Sequence, residues 1–513
     1  MATIPMSSVS YVVGTVSSWF ESRHQNSLAR PTSRLGNIAS LPKELIIAIM
    51  ESAEWSDILR LRRCCKIMES TSRTRSVWVA LLHRYYLMVF PRPFLLPKPL
   101  EHCTSGELEA LITGWFKEVR DLSDTFSPPH ISVLQVNTDD LEKLGTIPGG
   151  RFLLFSARNG SVFYLNPQSN SSPTLLIPSP FPDAEVEVTL NMSFEPLLPR
   201  DDTSLSHEAL EEQWFPQSLK LVLAWNDYGT VYPLVHETVI EVWTIHPQVY
   251  NGNFLGYAGE RLSSFNEEPD GGIQSCAILG DKVAYGMCGT RLPTIPAIIV
   301  VNWAGKTQGS FPCDRVYLSI YPSKNLMLLP EDRLMIVYRT QVSIWNLRQA
   351  THRHCRQPSQ RKRVPLTVPA WEQSLGDTII FETCTPFFIR NSIRIVIPTL
   401  TGLYGIVLPC FKEPPWDPSI EVLRLVEGKY NLAGADSYQS YGYRKGASNF
   451  SSSQLLLQYS WPDDLPILGI VQPITECRSW LHKHFYFDEA LNCIQSFQER
   501  TSQYHVISLS NNH

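Results

Sequence analysis

The sequence predicts an α+β multidomain chain, with a small helical module near the N-terminus followed by a large all-β body. Three observations predict it. Apolar residues between positions 41 and 90 recur at spacings of three and four, the repeat of an amphipathic helix. From about residue 123 the pattern changes to short apolar runs punctuated by Gly, Pro, Asn and Asp, as strands and turns require. Several of those runs close on tryptophan or tyrosine, and the step from Trp303 to Trp345 is 42 residues.

Composition narrows the function classes. At 513 residues two or more domains are expected. Hydrophobic content of 43% and charged content of 18% fit a globular chain with a sizeable core. A net charge of −5 implies no polyanionic partner. The 11 cysteines are odd in number and lack a Cys-x-x-Cys pair, which points to free thiols in a reducing compartment, cytoplasm or nucleus. No run of 18 apolar residues occurs, so no membrane span is expected.

Residues 1–40 read as a tail, its last part polar and linker-like. The helical module covers 41–90. Leu45, Ile46, Ile49 and Met50 share one helical face, with Pro42 at a position that suits a helix start and Glu44 near the positive end of the dipole. Ser56-Asp57 reads as the cap of a second helix running from Ile58 to Met68. Ser70 to Ser76 reads as a turn, and a third helix from Val77 to Met88 carries Trp78, Leu81, Leu82 and Tyr85. A three-helix unit this small buries little surface, so docking on a neighbour or partner is expected.

Leu41-Pro42-x-Glu44-Leu45, Ile49, Asp57-Ile58-Leu59, Leu61, Cys65-Lys66 and Trp78 stand in an order and spacing that resembles an F-box. The run Asp57 to Arg62, then Cys65-Lys66, then Ser76-x-Trp78 is similar to the F-box proteins of mushroom-type fungi. Ala53 and Cys64 depart from the family's usual leucine and valine, and Trp55 is an unusual loop residue. The resemblance implies docking to the Skp-type adaptor, and through it to a cullin. Leu41, Pro42, Leu45, Ile49, Ile58, Leu59, Leu61, Cys65 and Trp78 are the implied adaptor-binding residues. Two other readings stay open: a plain structural bundle, and a helix-turn-helix contacting nucleic acid through Arg60, Arg62, Arg63, Lys66, Arg73 and Arg75. Eight Lys/Arg against five Asp/Glu from Leu41 to Phe90 leave only +3, so no nucleic-acid partner is expected.

Residues 91–122 read as a proline-rich connector, with four prolines between Pro91 and Leu100, followed by a helix from Ser105 to Leu122. Leu108, Leu111, Ile112, Trp115, Phe116 and Val119 form its apolar stripe, suited to packing one domain on the other.

The β body covers 123–513. Phe152 to Phe155 and Val162 to Leu165 flank Arg158-Asn159-Gly160, a strong hairpin signal. Further pairs run from Leu221 to Trp243, Val283 to Trp303, Leu334 to Asn346, Ile393 to Leu408 and Phe485 to Leu509. A recurrence near 40 to 45 residues is the period of a four-stranded propeller blade, and the 60-residue step from Trp243 to Trp303 would hold an insertion. The body resembles a degenerate WD-type β-propeller of roughly seven blades. Six or eight blades, or a pair of β-sandwiches, are the alternatives.

No catalytic constellation and no cofactor or metal site is expected. His236-Glu237 lacks the second histidine of a zinc-protease motif, and His352-Arg353-His354-Cys355 lacks a fourth ligand at known spacing. No phosphate loop or dinucleotide fingerprint occurs. The one functional candidate in the body is a basic loop holding Arg348, Arg353, Arg356, Arg361, Lys362 and Arg363, which could take an acidic or phosphorylated segment of a substrate protein. The expectation is therefore a non-enzymatic substrate receptor of a Skp-cullin-F-box ubiquitin ligase. The rivals are an F-box scaffold acting outside a ligase, and a propeller enzyme acting on a small molecule.

Overall fold

A computed structural model describes residue 38, residues 41–116 apart from 97, most of 131–461, and 484–488, 493–498 and 503–508; the longest stretches outside the description are 1–37, 117–130, 199–213, 350–367, 428–438 and 462–483. The chain forms two compact units. The helical one takes the described residues up to Tyr86 together with Cys103–Thr113, and the β unit takes Leu87–His102 and the chain from Gly114 onward.

The helical unit holds four short helices in succession: α1 Lys43–Ser52, α2 Trp55–Arg62, α3 Lys66–Ser72 and α4 Arg75–Met88. The sequence reading expected three. The single helix expected from Ile58 to Met68 is broken at Cys65, whose backbone is extended (φ −163°, ψ 166°). The break lets α3 turn back, and Arg62 of α2 donates from Nε to Ser72 Oγ at its far end. The expected Ser56-Asp57 cap is also displaced. α2 starts at Trp55 because the Trp55 N–H donates to Tyr85 Oη, whose hydroxyl in turn donates to Glu54. Asp57 lies inside the first turn and pairs with Arg60 at 3.0 Å.

The last helix, α5 Ser105–Phe116, opens on a capping box that the sequence reading did not use. Glu107 Oε2 accepts from the Thr104 N–H at 2.7 Å, and the Glu107 N–H donates to Thr104 Oγ1. Leu108, Leu111, Ile112 and Trp115 of the stripe are buried, while Val119 and the helix expected beyond Phe116 lie outside the described residues.

The β unit consists of antiparallel sheets laid down one after another. Sheet 1 is β2 Leu141–Thr146, β3 Leu153–Ala157, β4 Val162–Leu165 and β5 Thr174–Ile177; sheet 2 is β6 Val188–Phe194, β7 Leu219–Asp227, β8 Glu237–Tyr250 and β9 Asn253–Glu267. Sheet 3 is β10 Gly271–Leu279, β11 Lys282–Gly289, β12 Ala297–Asn302 and β15 Arg315–Leu318, with a small hairpin of β13 Thr307–Gln308 and β14 Phe311–Pro312 before its last strand. Sheet 4 is β16 Asn325–Leu329, β17 Arg333–Val337, β18 Gln341–Asn346 and β19 Trp371–Ser374; sheet 5 is β20 Phe387–Ile389, β21 Ser392–Thr399, β22 Gly402–Pro409 and β23 Glu421–Glu427. Sheet 6 shows β24 Gln439–Tyr441, β25 Lys445–Phe450 and β26 Ser453–Gln458 among the described residues. Sheet 7 joins β27 His484–Asp488, β28 Cys493–Gln498 and β29 Gln503–Ser508 to β1 Ile131–Gln135, so the start and end of the β unit share one sheet.

The order of sheets closes on itself. Shared apolar clusters join sheets 1 and 2, 2 and 3, 3 and 4, and 4 and 5. Arg394 of sheet 5 lies over the rings of Tyr443 and Trp461, beside sheet 6. β24 packs on β27, and β27 packs on β2. Seven sheets of three or four strands among the described residues, each joined to the next and the last to the first, are consistent with a propeller-like all-β domain. The same arrangement explains the apolar runs. In β7, Leu221, Leu223 and Trp225 face sheet 1 while Val222 and Ala224 face sheet 3. Strands buried on both faces read as continuous hydrophobic stretches, not as alternation.

The tryptophan recurrence has a structural basis. Trp243 and Trp345 occupy the third strands of sheets 2 and 4, and each donates its indole N–H to the residue two before it, Glu241 at 2.7 Å and Ser343 at 3.0 Å. The 60-residue step holds an extended hairpin, because β8 pairs with β7 only as far as Ile245 but with β9 as far as Tyr250. Polar side chains also tie the blades. Arg315 donates to both oxygens of Glu267, which also accepts from the Tyr285 hydroxyl, all three being buried between sheets 2 and 3. Arg333 donates to three backbone carbonyls, those of Pro330, Pro409 and Cys410.

The proline-rich segment lies within the β unit as a bonded strap. Arg92 exchanges both backbone hydrogen bonds with Phe388 of sheet 5, and the Leu96 N–H donates to Trp214 O in the connection between β6 and β7. Phe90 and Phe94 stack at 4.2 Å and both meet Trp115 edge-on at 5.5 Å.

Candidate functional site

The helical unit has a core of its own and an apolar face outside that core. Ile46 and Met50 of α1, Ile58, Met68, Val77, Trp78, Leu81 and Leu82 are buried together. The Trp78 indole donates to Ser72 O at 2.8 Å. α1 is apolar on two neighbouring ridges, and only one can face inward. The other ridge, Leu41, Leu45 and Ile49, is left 37%, 51% and 40% exposed, and Ile67 of α3, which packs on α1, is 47% exposed. Pro42 is also exposed and sits at the N-cap of α1.

Polar contacts hold this face in place from behind. Arg84 of α4 donates to the carbonyls of Ser52 and Ala53 at 2.9 and 2.5 Å, satisfying orphan groups at the end of α1. Arg62 makes a bidentate pair with Glu109 at 2.7 and 2.8 Å. The hydrogen bond to the Glu109 carboxylate raises the Arg62 pKa. Burial first, and then the hydrogen bond to Glu54, raise the Tyr85 pKa, so this hydroxyl stays protonated and can bridge α2 to α4.

The structure divides the residues singled out from the sequence. Leu41, Pro42, Leu45 and Ile49 are exposed and contiguous; Leu59, Leu61 and Cys65 are half-buried. Ile58 and Trp78 are fully buried in the chain by itself and so build the helical unit. A motif records fold-making and contact-making residues alike. Ile67 was missed. Its signal was an isoleucine beside Met68 in the short stretch Lys66 to Ser72, where only one of the two apolar residues can face the core.

The basic loop fares differently. Arg348 is held by Glu331 at 2.5 Å and Asp332 at 3.2 Å, at a turn where both acidic residues have positive φ. Its charge is answered locally, and Lys282 shares the same Asp332. The Arg348 side chain remains 44% exposed. Arg353, Arg356, Arg361, Lys362 and Arg363 lie outside the described residues, as do His352 and Cys355. Among the described residues no group of three His, Cys, Asp or Glu is placed to hold a metal ion, and no helix is long and apolar enough to cross a membrane. The described cysteines Cys64, Cys65, Cys103, Cys276 and Cys410 are free thiols.

No family model and no curated protein matches the chain. Among solved structures it is similar to the β-propeller domain of Cps50 (Swd1) from Myceliophteria thermophila, at 10% sequence identity and a TM-score of 0.44, over 75% of this chain and 100% of that one.

Proposed function

We propose that the helical unit is an F-box that docks a Skp-type adaptor, and that the chain serves as the substrate receptor of a cullin-based ubiquitin ligase, with the propeller holding the substrate protein. The observation that carries the reading is the exposed row of Leu41, Leu45 and Ile49 beside Ile67, standing outside a core that is already complete. A contiguous apolar face of this kind marks a protein interaction site. The order Leu41-Pro42-x-Glu44-Leu45 to Trp78 supports the same partner. Burying the exposed part of each of these side chains contributes about 1 kcal/mol, half or less of the value for full burial. Ubiquitin transfer belongs to other subunits in this reading.

The test is binding of the purified chain to a Skp-type adaptor, with Leu41→Ala/Pro42→Ala and Leu45→Asp/Ile49→Asp as variants. Binding by the wild type that both variants lose, with unchanged melting, is the expected result. A folded wild-type chain that does not bind refutes the F-box assignment. Copurification of a cullin with the adaptor complex separates a ligase receptor from a scaffold acting outside a ligase.

A further inference from the structure

An apolar ridge is only as well placed as the helix that carries it, and α1 is lightly anchored. Among its ten residues only Ile46 and Met50 are fully buried. Pro42 at its N-cap makes no side-chain cap bond, and its last turn carries no basic residue to answer the negative end of its own dipole.

The fixed point lies at the C-terminal end and comes from another helix. Arg84 of α4 donates from Nη1 to Ser52 O and from Nη2 to Ala53 O, with its guanidinium 3.8 Å from Glu54. Its planar fork holds two successive carbonyls at once, and its charge complements the α1 dipole there. Tyr85, the next residue of α4, takes the chain that follows. Its hydroxyl accepts from the Trp55 N–H and donates to Glu54. The whole connection from Ser52 to Trp55 is thereby tied to two successive side chains of α4.

A small tilt at this end matters at the other. From Lys43 to Ser52, α1 is about 14 Å long, so a tilt of about 10° about its held end displaces its first turn, and Leu41 with it, by about 2 Å. Apolar side chains lose contact once a gap of about 1 Å opens between their surfaces. A loosened clamp therefore leaves the chemistry of the ridge intact and its place wrong. Arg84 stands outside the motif that runs from Leu41 to Trp78. We infer that Arg84 is a positioning residue for adaptor docking, which sets the orientation of α1, and so of Leu41, Leu45 and Ile49, without touching the partner. The inference rests on the F-box reading and adds to it a residue outside the apolar ridge.

The test measures the affinity of the purified full chain for a purified Skp-type adaptor, and amide hydrogen exchange in the free chain, for the wild type, Arg84→Met and Arg84→Lys. Methionine keeps an unbranched stem and a good helix former while removing the fork. Affinity should fall roughly 10-fold in Arg84→Met. Arg84→Lys, a point charge without the fork, should lie between that variant and the wild type. Peptides from α1 should exchange faster in Arg84→Met, while those from β17 and β18 stay as in the wild type. A role in stability alone would lower the apparent affinity only by the fraction of chains unfolded, so binding is measured at a temperature where melting shows every variant folded. If Arg84→Met does not fold, Arg84→Lys carries the same comparison. Undiminished binding by a folded Arg84→Met chain overturns the inference and leaves the F-box reading standing. Lost affinity with unchanged α1 exchange also overturns it, because Arg84 would then be a contact residue. A folded wild-type chain that does not bind refutes the F-box assignment, and the inference with it.

Discussion

Trp78 and Leu45 belong to one sequence motif, and the structure assigns them opposite behaviour on substitution. The Trp78 indole has no exposed surface and donates to the carbonyl of Ser72, a residue that is itself fully buried. Trp78→Phe keeps most of the apolar volume but leaves that carbonyl without its donor, which costs about 1–3 kcal/mol. Trp78→Ala adds a cavity and costs about 3–5 kcal/mol. A helical unit of roughly 60 residues has about 3–9 kcal/mol of stability to lose. The alanine variant should therefore remove about half or more of the unit's stability, and the phenylalanine variant should leave it folded but loosened. Amide hydrogen exchange in the full chain reads this directly. Peptides from α4 should exchange roughly 5- to 150-fold faster in Trp78→Phe, while peptides from β17 and β18 stay as in the wild type. Leu45→Asp, on the exposed ridge, should shift α4 exchange by about twofold at most. Unchanged α4 exchange in Trp78→Phe, or collapse of the unit in Leu45→Asp, would refute the division into buried and presented residues.

Three further outcomes follow from groups elsewhere. Arg315→Met strands the Glu267 carboxylate between sheets 2 and 3 and should destabilise the propeller by about 3–5 kcal/mol in denaturant unfolding; adding Glu267→Leu should restore most of that, and no recovery would contradict the pairing. Burial, with Glu267 close by, raises the Tyr285 pKa well above its usual value, and burial pushes Tyr338 up to about 12. Both tyrosines hold their protons longer in the folded chain than in the unfolded one, so their contribution is complete below about pH 10 and is lost as pH rises further, at up to about 1.4 kcal/mol per pH unit for Tyr285; an alkaline slope unchanged in Tyr285→Phe would contradict this. Burial also pushes the Cys276 thiol up to about 12, whereas Cys64 is exposed. Brief alkylation read by mass spectrometry should therefore modify Cys64 first, and early labelling of Cys276 would show that sheets 2 and 3 open there.

Much of the architecture is legible in local pattern. The Asn159-Gly160 hairpin forms as read, with Gly160 at φ 83° and its carbonyl accepting from Trp225 Nε1 at 2.8 Å. The paired runs from Leu221, Val283, Leu334 and Ile393 onward are adjacent strands of single sheets. Helix boundaries were less legible where distant groups set them, as Tyr85 does for α2.

Periodicity, turn residues and apolar runs act over a few positions, so the sequence by itself determined a helical module, a β body and a blade-like repeat. It also placed the motif Leu41 to Trp78 at its spacing. Only the tertiary structure decided which apolar residues of that motif stay outside the core, because burial depends on what packs opposite: Ile46 meets other helices, and Leu45, one residue away, does not. The ring closure, joining Ile131 to Ile507, and the salt bridge between Glu267 and Arg315 were decided there too. Such contacts leave no periodic trace, since each pairs residues far apart in the chain and depends on the whole fold to bring them within bonding distance.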